Sequence, residues 1–131
     1  MGANNTVSVS NGGTLGLFRS SITPPQNSGI LRADGGSLLI QGDGFGPLTK
    51  FTNGGGTIEA VNSGIVHLNG VFIDGGLIQG LGGTIALGQS PDGTTSTLEN
   101  VTLSGVVVAT SPLALSGLSF DTASLSLGWA M

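Results

Sequence analysis

Cysteine and tyrosine are absent from this chain of 131 residues, and only three residues are basic. Without cysteine there is neither a disulfide nor a thiolate metal site. Arg19, Arg32 and Lys50 are the whole cationic complement beside a net charge of −4. Nucleic-acid affinity depends on clustered Lys and Arg, so no nucleic-acid partner is expected. No apolar run approaches the roughly 18 residues of a membrane-spanning helix, so no membrane insertion is expected either. The chain does not open with a charged segment followed by an apolar one, as a signal peptide would. Met1-Gly2 reads as an expression start on an excised piece of a longer protein. Helix signals are scarce too: glycines interrupt every window of helical length, and no i, i+3, i+4, i+7 stripe is sustained.

What the chain does have is glycine, 25 of them, together with 38% hydrophobic residues rich in Leu, Ile and Val. That is enough apolar surface for one domain over residues 1–131 with a core, and it lacks the charge excess of a disordered segment. The apolar residues come in short β-type runs: Thr6 to Val9, Ser37 to Gln41, Thr57 to Val61, Ile65 to Leu68, Val71 to Ile73, Thr84 to Leu87, Val101 to Leu103, Val106 to Ala109 and Leu113 to Leu115. Gly, Asn, Ser, Asp and Pro punctuate them, as turns require.

A repeat distinguishes among the all-β architectures such runs allow. Stepping by 20 from Phe18 reaches Leu38, Ile58, Ile78, Leu98 and Leu118, all large and apolar. Phe45, Ile65, Ile85 and Leu125 form a second column that lapses at Gly105, and Leu31, Phe51 and Val71 a third that fails at Pro91. The pairs Gly35-Gly36, Gly55-Gly56 and Gly75-Gly76 share the period and read as one repeated corner. The expected fold is a single-stranded parallel β-solenoid (β-helix) of about 20 residues per coil and roughly six coils, each climbing one strand spacing of about 4.8 Å. Within coil 55–74, Ile58, Ala60, Val71 and Ile73 point in; at Ile65 to Leu68 either alternate pair could. Ser21 to Ser28 and Gln89 to Ser96 read as loops. After Val101 a 12-residue recurrence competes with the 20-residue one. Residues 1–13 and 119–131 should cap the ends, with Trp129 as a cap side chain, unless the ends stack on other chains.

Runs such as Gly55-Gly56-Thr57-Ile58, Gly82-Gly83-Thr84-Ile85 and Leu98 to Gly105 resemble the repeats of β-helical haemagglutinin-like adhesins and autotransporter passenger domains of bacteria. The likeness is one of style and spans roughly residues 35 to 120. It implies a right-handed β-helix, a role as adhesin stalk, and an extracellular or cell-surface location.

Four acids are the catalytic candidates. At the 20-residue period Glu59, Gln79 and Glu99 fall in one outward column, as do Asp34 and Asp74, with two coils between the carboxylates of each pair. That is on the order of 10 Å, near the separation of inverting glycosidases. Against this, no aromatic platform or basic group converges on them, and solvated or turn-capping carboxylates are the simpler account. Calcium needs six to eight oxygen ligands, which the chain does not gather, so no metal or cofactor is expected. His67 is a lone histidine without a partner nucleophile, in a column with Leu87, Val107 and Leu127, and reads as structural. Thr57 and Thr97 share a column that Ser37 and Leu77 interrupt, a poor start for an ice-binding array. Leu39, Val61, Phe72 and Leu81 are apolar residues expected to face outward.

The function expected is therefore a non-enzymatic structural or adhesive module of a bacterial secreted or surface protein, contacting a surface receptor or glycan and self-associating through its ends. The alternative is a carbohydrate-active β-helix, such as a polysaccharide lyase, hydrolase or phage tailspike piece; ice binding is a third.

Overall fold

The computed structural model describes residues 5–18, 26–41, 50–89, 96–109, 114–116 and 119–127, the last two stretches as backbone strands. Among these residues there is no helix. The strands are β1 (Thr6–Ser10), β2 (Thr14–Phe18), β3 (Ile30–Asp34), β4 (Ser37–Gln41), β5 (Lys50–Thr52), β6 (Thr57–Val61), β7 (Ile65–Asn69), β8 (Phe72–Asp74), β9 (Leu77–Gly88), β10 (Thr97–Glu99), β11 (Thr102–Ala109), β12 (Ala114–Ser116) and β13 (Ser119–Leu127). Each pairs in parallel with the strand of the next turn, and the chain forms a three-faced β-solenoid.

Face one stacks β1, β3, β6 and the first halves of β9, β11 and β13. Face two stacks β2, β4, β7 and the second halves of the same three long strands. Face three stacks β5, β8, β10 and β12. Three consecutive turns, Ile30–Thr52, Thr57–Asp74 and Leu77–Glu99, have side chains described on all three faces.

The core is the inside of this stack. Leu31, Ile58, Ile78 and Leu103 line face one; Leu38, Val66, Ile85 and Val107 line face two; Phe51, Ile73 and Leu98 line face three. All are buried. Strand alternation puts each of them on the side opposite its strand neighbours, and burial shows that this side is the inner one. At β7 the choice falls on Val66 and Leu68, both fully buried, with Ile65 and His67 outward.

The 20-residue period does not survive. On face one the intervals from Leu31 to Ile58, from Ile58 to Ile78 and from Ile78 to Leu103 all differ. On face two the same holds for Leu15, Leu38, Val66, Ile85 and Val107, no two steps being equal. Leu38, Ile58 and Leu98 are all core residues, yet they belong to faces two, one and three. Gly35-Gly36 turns face one into face two, whereas Gly55-Gly56 and Gly75-Gly76 turn face three into face one. The physical reason is that pairing fixes strand lengths but leaves corners free to take insertions. The connection from face two to face three is short after β7 and much longer after β4 and β9. The 12-residue recurrence sets no register either: Leu103 pairs with Phe120, and Leu115 pairs with Leu98. Phe45, Leu118, Trp129 and the interiors of both expected loops lie outside the described residues.

The corner from face one to face two takes left-handed backbone at five successive levels. Asn11 and Gly12, Gly35, Asn62 and Ser63, Gly82 and Gly105 all have positive φ. Glycine has no Cβ penalty there, and Asn is the side chain that tolerates the region best. At the corner from face three to face one, Asn27 and Asn53 stack in the interior, both buried. Asn27 donates to Asn53 Oδ1 at 2.8 Å, and Asn53 donates to the Gly75 carbonyl at 3.2 Å. Asn27 Oδ1 in turn accepts from the Gly29 amide at 3.0 Å. This amide ladder satisfies polar groups that are buried away from the surface. Asn53→Ala should therefore cost about 1–3 kcal/mol, the penalty of unpaired buried groups, visible as a lower urea midpoint at unchanged slope.

Candidate functional site

Strand parity sends every second strand residue outward, so the charged side chains of the strands stand in the outer columns. On face one the central column runs Ser8, Arg32, Glu59, Gln79, Ser104. Arg32 Nε donates to Glu59 Oε1 at 2.6 Å, and Gln79 Nε2 donates to Glu59 Oε2 at 2.6 Å. One oxygen of Glu59 is thus held from the turn before and the other from the turn after. Its side chain is only 9% exposed, against 34% for that of Arg32. A carboxylate so enclosed acts as a cross-strand clamp.

The expected pairings of acids are not those found. Glu99 lies on face three, not in the column of Glu59, and stands one turn from Asp74 in direct register. Asp34 lies at the end of face one, where Ser10 and Val61 are its register neighbours, so it is not paired with Asp74. The correction follows from the unequal turns: equal spacing in sequence no longer means the same column. Asp34 Oδ1 accepts from Asn62 Nδ2 at 2.6 Å, steadying the left-handed Asn62 corner. Asp74 Oδ1 and Asn100 Nδ2, at 3.5 Å, repeat the arrangement more loosely at another corner.

Face three therefore carries the one juxtaposition of two carboxylates among the described residues that register brings together. Asp74 and Glu99 are half-buried, and their backbones are one strand spacing, about 4.8 Å, apart. Thr52 precedes Asp74 and Ser116 follows Glu99 in the same column. No group of three or more His, Cys, Asp or Glu residues converges among the described residues.

Face two is different in kind. Its outward positions are Thr14 and Gly16, Ser37, Leu39 and Gln41, Ile65, His67 and Asn69, Thr84 and Ala86, and Val106 and Val108. No Asp, Glu, Lys or Arg is among them. Ile65 and Val106 are 37% and 46% exposed, well above a core residue. His67 lies in this face, half-buried between Leu39 and Ala86, and not in the column with Leu87 and Val107. Of the expected outward apolar residues only Leu39 belongs to this face; Val61 closes face one, Phe72 lies on face three, and Leu81, 49% exposed, sits at a corner. Thr57 and Thr97 lie on faces one and three, so they form no array.

Sequence reasoning singles out Glu59 but misses Arg32 as its partner, because the two are far apart in the chain and out of step with the apparent period. Opposite charges at the centres of two alternating strands would have been the signal. In comparison with known proteins, no family model, curated protein or solved structure matches the chain.

Proposed function

We propose that the chain is a structural or adhesive β-solenoid module of roughly six coils, non-enzymatic, from a bacterial secreted or surface protein. The observation carrying this reading is the segregation of its outer surface. Among the described residues, formal charges occupy faces one and three, where Glu59 and Asp34 are tied to neighbouring turns. Among the described residues face two is left as a regular, partly apolar strip without Asp, Glu, Lys or Arg. A rigid stack that holds its acids in cross-turn clamps suits a scaffold, and such a strip suits contact with a receptor or a neutral glycan. The resemblance of its Gly-Gly-Thr-Ile runs to adhesin repeats supports the surface location and the right-handed coil, the hand parallel crossovers nearly always take.

One observation favours the carbohydrate-active alternative: the Asp74–Glu99 register pair. Retaining glycosidases hold their two carboxyl groups about 5–5.5 Å apart, close to one strand spacing. A single experiment separates the readings. The purified chain is incubated with a panel of neutral and acidic polysaccharides, and both new reducing ends and sedimented complex are measured. Binding without new ends is the expected result. Turnover lost in both Asp74→Asn and Glu99→Gln, with melting unchanged, would replace the scaffold by the enzyme.

A further inference from the structure

A β-solenoid has two ends, and at each the last strands leave one row of backbone N–H and C=O groups without a rung to pair with. At the first turn those strands are β1 and β2, the termini of the sheet's pairing order, with β3 and β4 as their neighbours. Val7 belongs to the same inward column as Leu31, Ile58 and Ile78. It is nevertheless 38% exposed, while those three are buried. Val9 and Leu15 are only partly covered. Among the described residues, nothing closes the interior column at this end.

Natural edge strands are usually protected by a charge, a proline or a bulge. β1 reads Thr-Val-Ser-Val-Ser, and β2 reads Thr-Leu-Gly-Leu-Phe. Neither contains any of these devices; both are regular, alternating and uncharged. The edge is also self-complementary. If two copies of β1 pair antiparallel about Ser8, Val7 of each faces Val9 of the other, Ser8 faces Ser8, and Thr6 faces Ser10. Directly opposed residues lie on the same side of a sheet, so both valine pairs would join the two interiors and every hydroxyl would stay outside.

Charge favours the same partner. A two-fold contact sets each residue near its own mate, so any ionised group close to the axis would meet its like. The chain is acidic overall, yet its seven acids are Asp34, Asp43, Glu59, Asp74, Asp92, Glu99 and Asp121, none of them in the first turn. Residues 5–18 carry no ionisable side chain at all. The first turn is thus the end at which two copies of an acidic rod approach with least repulsion.

We propose that the first turn is a self-association surface, on which a second copy docks head to head by antiparallel β1 pairing about Ser8. The occupant is a second copy of this chain, and the result is a closed two-fold dimer whose core runs through the junction. This needs only the fold and is independent of the adhesive reading.

Cysteine scanning tests it, because the chain has no cysteine of its own. In Ser8→Cys the two thiols would face each other across the axis, with Cα atoms about 4.5–5.5 Å apart, within disulfide range. Mild oxidation should give a covalent dimer nearly quantitatively, while Thr52→Cys on face three stays monomeric under the same treatment. Sedimentation should show a concentration-dependent dimer of the unmodified chain. Ser8→Lys, which sets like charges opposite one another, should shift it several-fold towards monomer with melting of the monomer unchanged. A chain that sediments as a monomer at all concentrations overturns the proposal. So does a ladder of larger oligomers without a Ser8→Cys dimer, which would mean head-to-tail stacking. Cross-linking of Thr52→Cys as efficient as that of Ser8→Cys would mean random collision and would equally overturn it.

Discussion

Ile78→Asp is expected to leave the purified chain without cooperative unfolding at room temperature, as followed by far-ultraviolet circular dichroism against urea. Ile78 is fully buried in the middle of face one, with Ile58 one turn before it and Leu103 one turn after. Removing its side chain costs about 2–5 kcal/mol, and an unpaired buried carboxylate adds about 3–5 kcal/mol. Together these match most of the roughly 5–15 kcal/mol that holds a domain folded. Ile65→Asp is the control. Its residue is equally aliphatic and lies in a strand of the same sheet, but it points out from face two and is 37% exposed. That variant should unfold within about 1 kcal/mol of the parent, since an exposed outward position can keep its charge hydrated. If both variants behave alike, the assignment of inward and outward residues along β7 and β9 is wrong.

The second large effect is expected at a glycine. Gly76→Ala should lower the melting temperature by roughly 10 °C, from a loss of about 3 kcal/mol or more. Two causes act together. The backbone of Gly76 is left-handed, φ +76°, where an alanine is strained by about 1–2 kcal/mol. A Cβ there would also be driven into the carbonyl oxygen of Asn53 and to 2.5 Å from its side-chain nitrogen. Relief of that clash would move Asn53 and with it the interior amide ladder to Asn27. Gly54→Ala provides the comparison. It lies in the corner of the preceding turn, but nothing stands within 4 Å of its Cβ position. Its variant should melt with the parent or slightly above, because alanine restricts the unfolded chain more than glycine does. Differential scanning calorimetry of the pair reads the difference directly.

The two cases show why the chain is legible at one scale and not at another. An alternation such as Leu-x-Ile or Ile-x-Ala within one strand is enough to say which side faces in. Thr57 to Val61 and Ser37 to Gln41 are read correctly on that ground. Glycine and asparagine mark the corners equally well. The columns are another matter. Leu38 and Ile58, and Ile58 and Ile78, look equivalent in sequence because the interval is the same, but only the second pair is in register. A composition rich in Leu, Ile and Gly supplies an apolar residue at almost any spacing, so the period is weakly marked.

The candidate residues inherit that error. Glu59, Glu99, Asp34 and Asp74 are the acids to single out, since few others exist, but their grouping depends on the period. With the true register, Glu59 joins Arg32 and Gln79, Asp74 joins Glu99, and Asp34 is tied to an asparagine corner. The sequence predicts that residues 1–13 cap the first turn unless the ends stack on other chains; among the described residues β1 is a regular strand paired on one side, with β3.

By itself, then, the sequence determined the class: all-β, many short strands, glycine and asparagine at the turns, and an interior of aliphatic side chains, with neither a cysteine framework nor a cationic surface. Those features are local. They depend on strand parity, on which residues tolerate left-handed backbone, and on composition. Only the tertiary structure decided which strands stack, hence which charges meet and which face lacks Asp, Glu, Lys and Arg among the described residues. Stacking is set by hydrogen bonding between strands that are distant in the chain and unequally spaced along it. Corners absorb insertions at little energetic cost, so the distance along the chain from one rung to the next carries no fixed value.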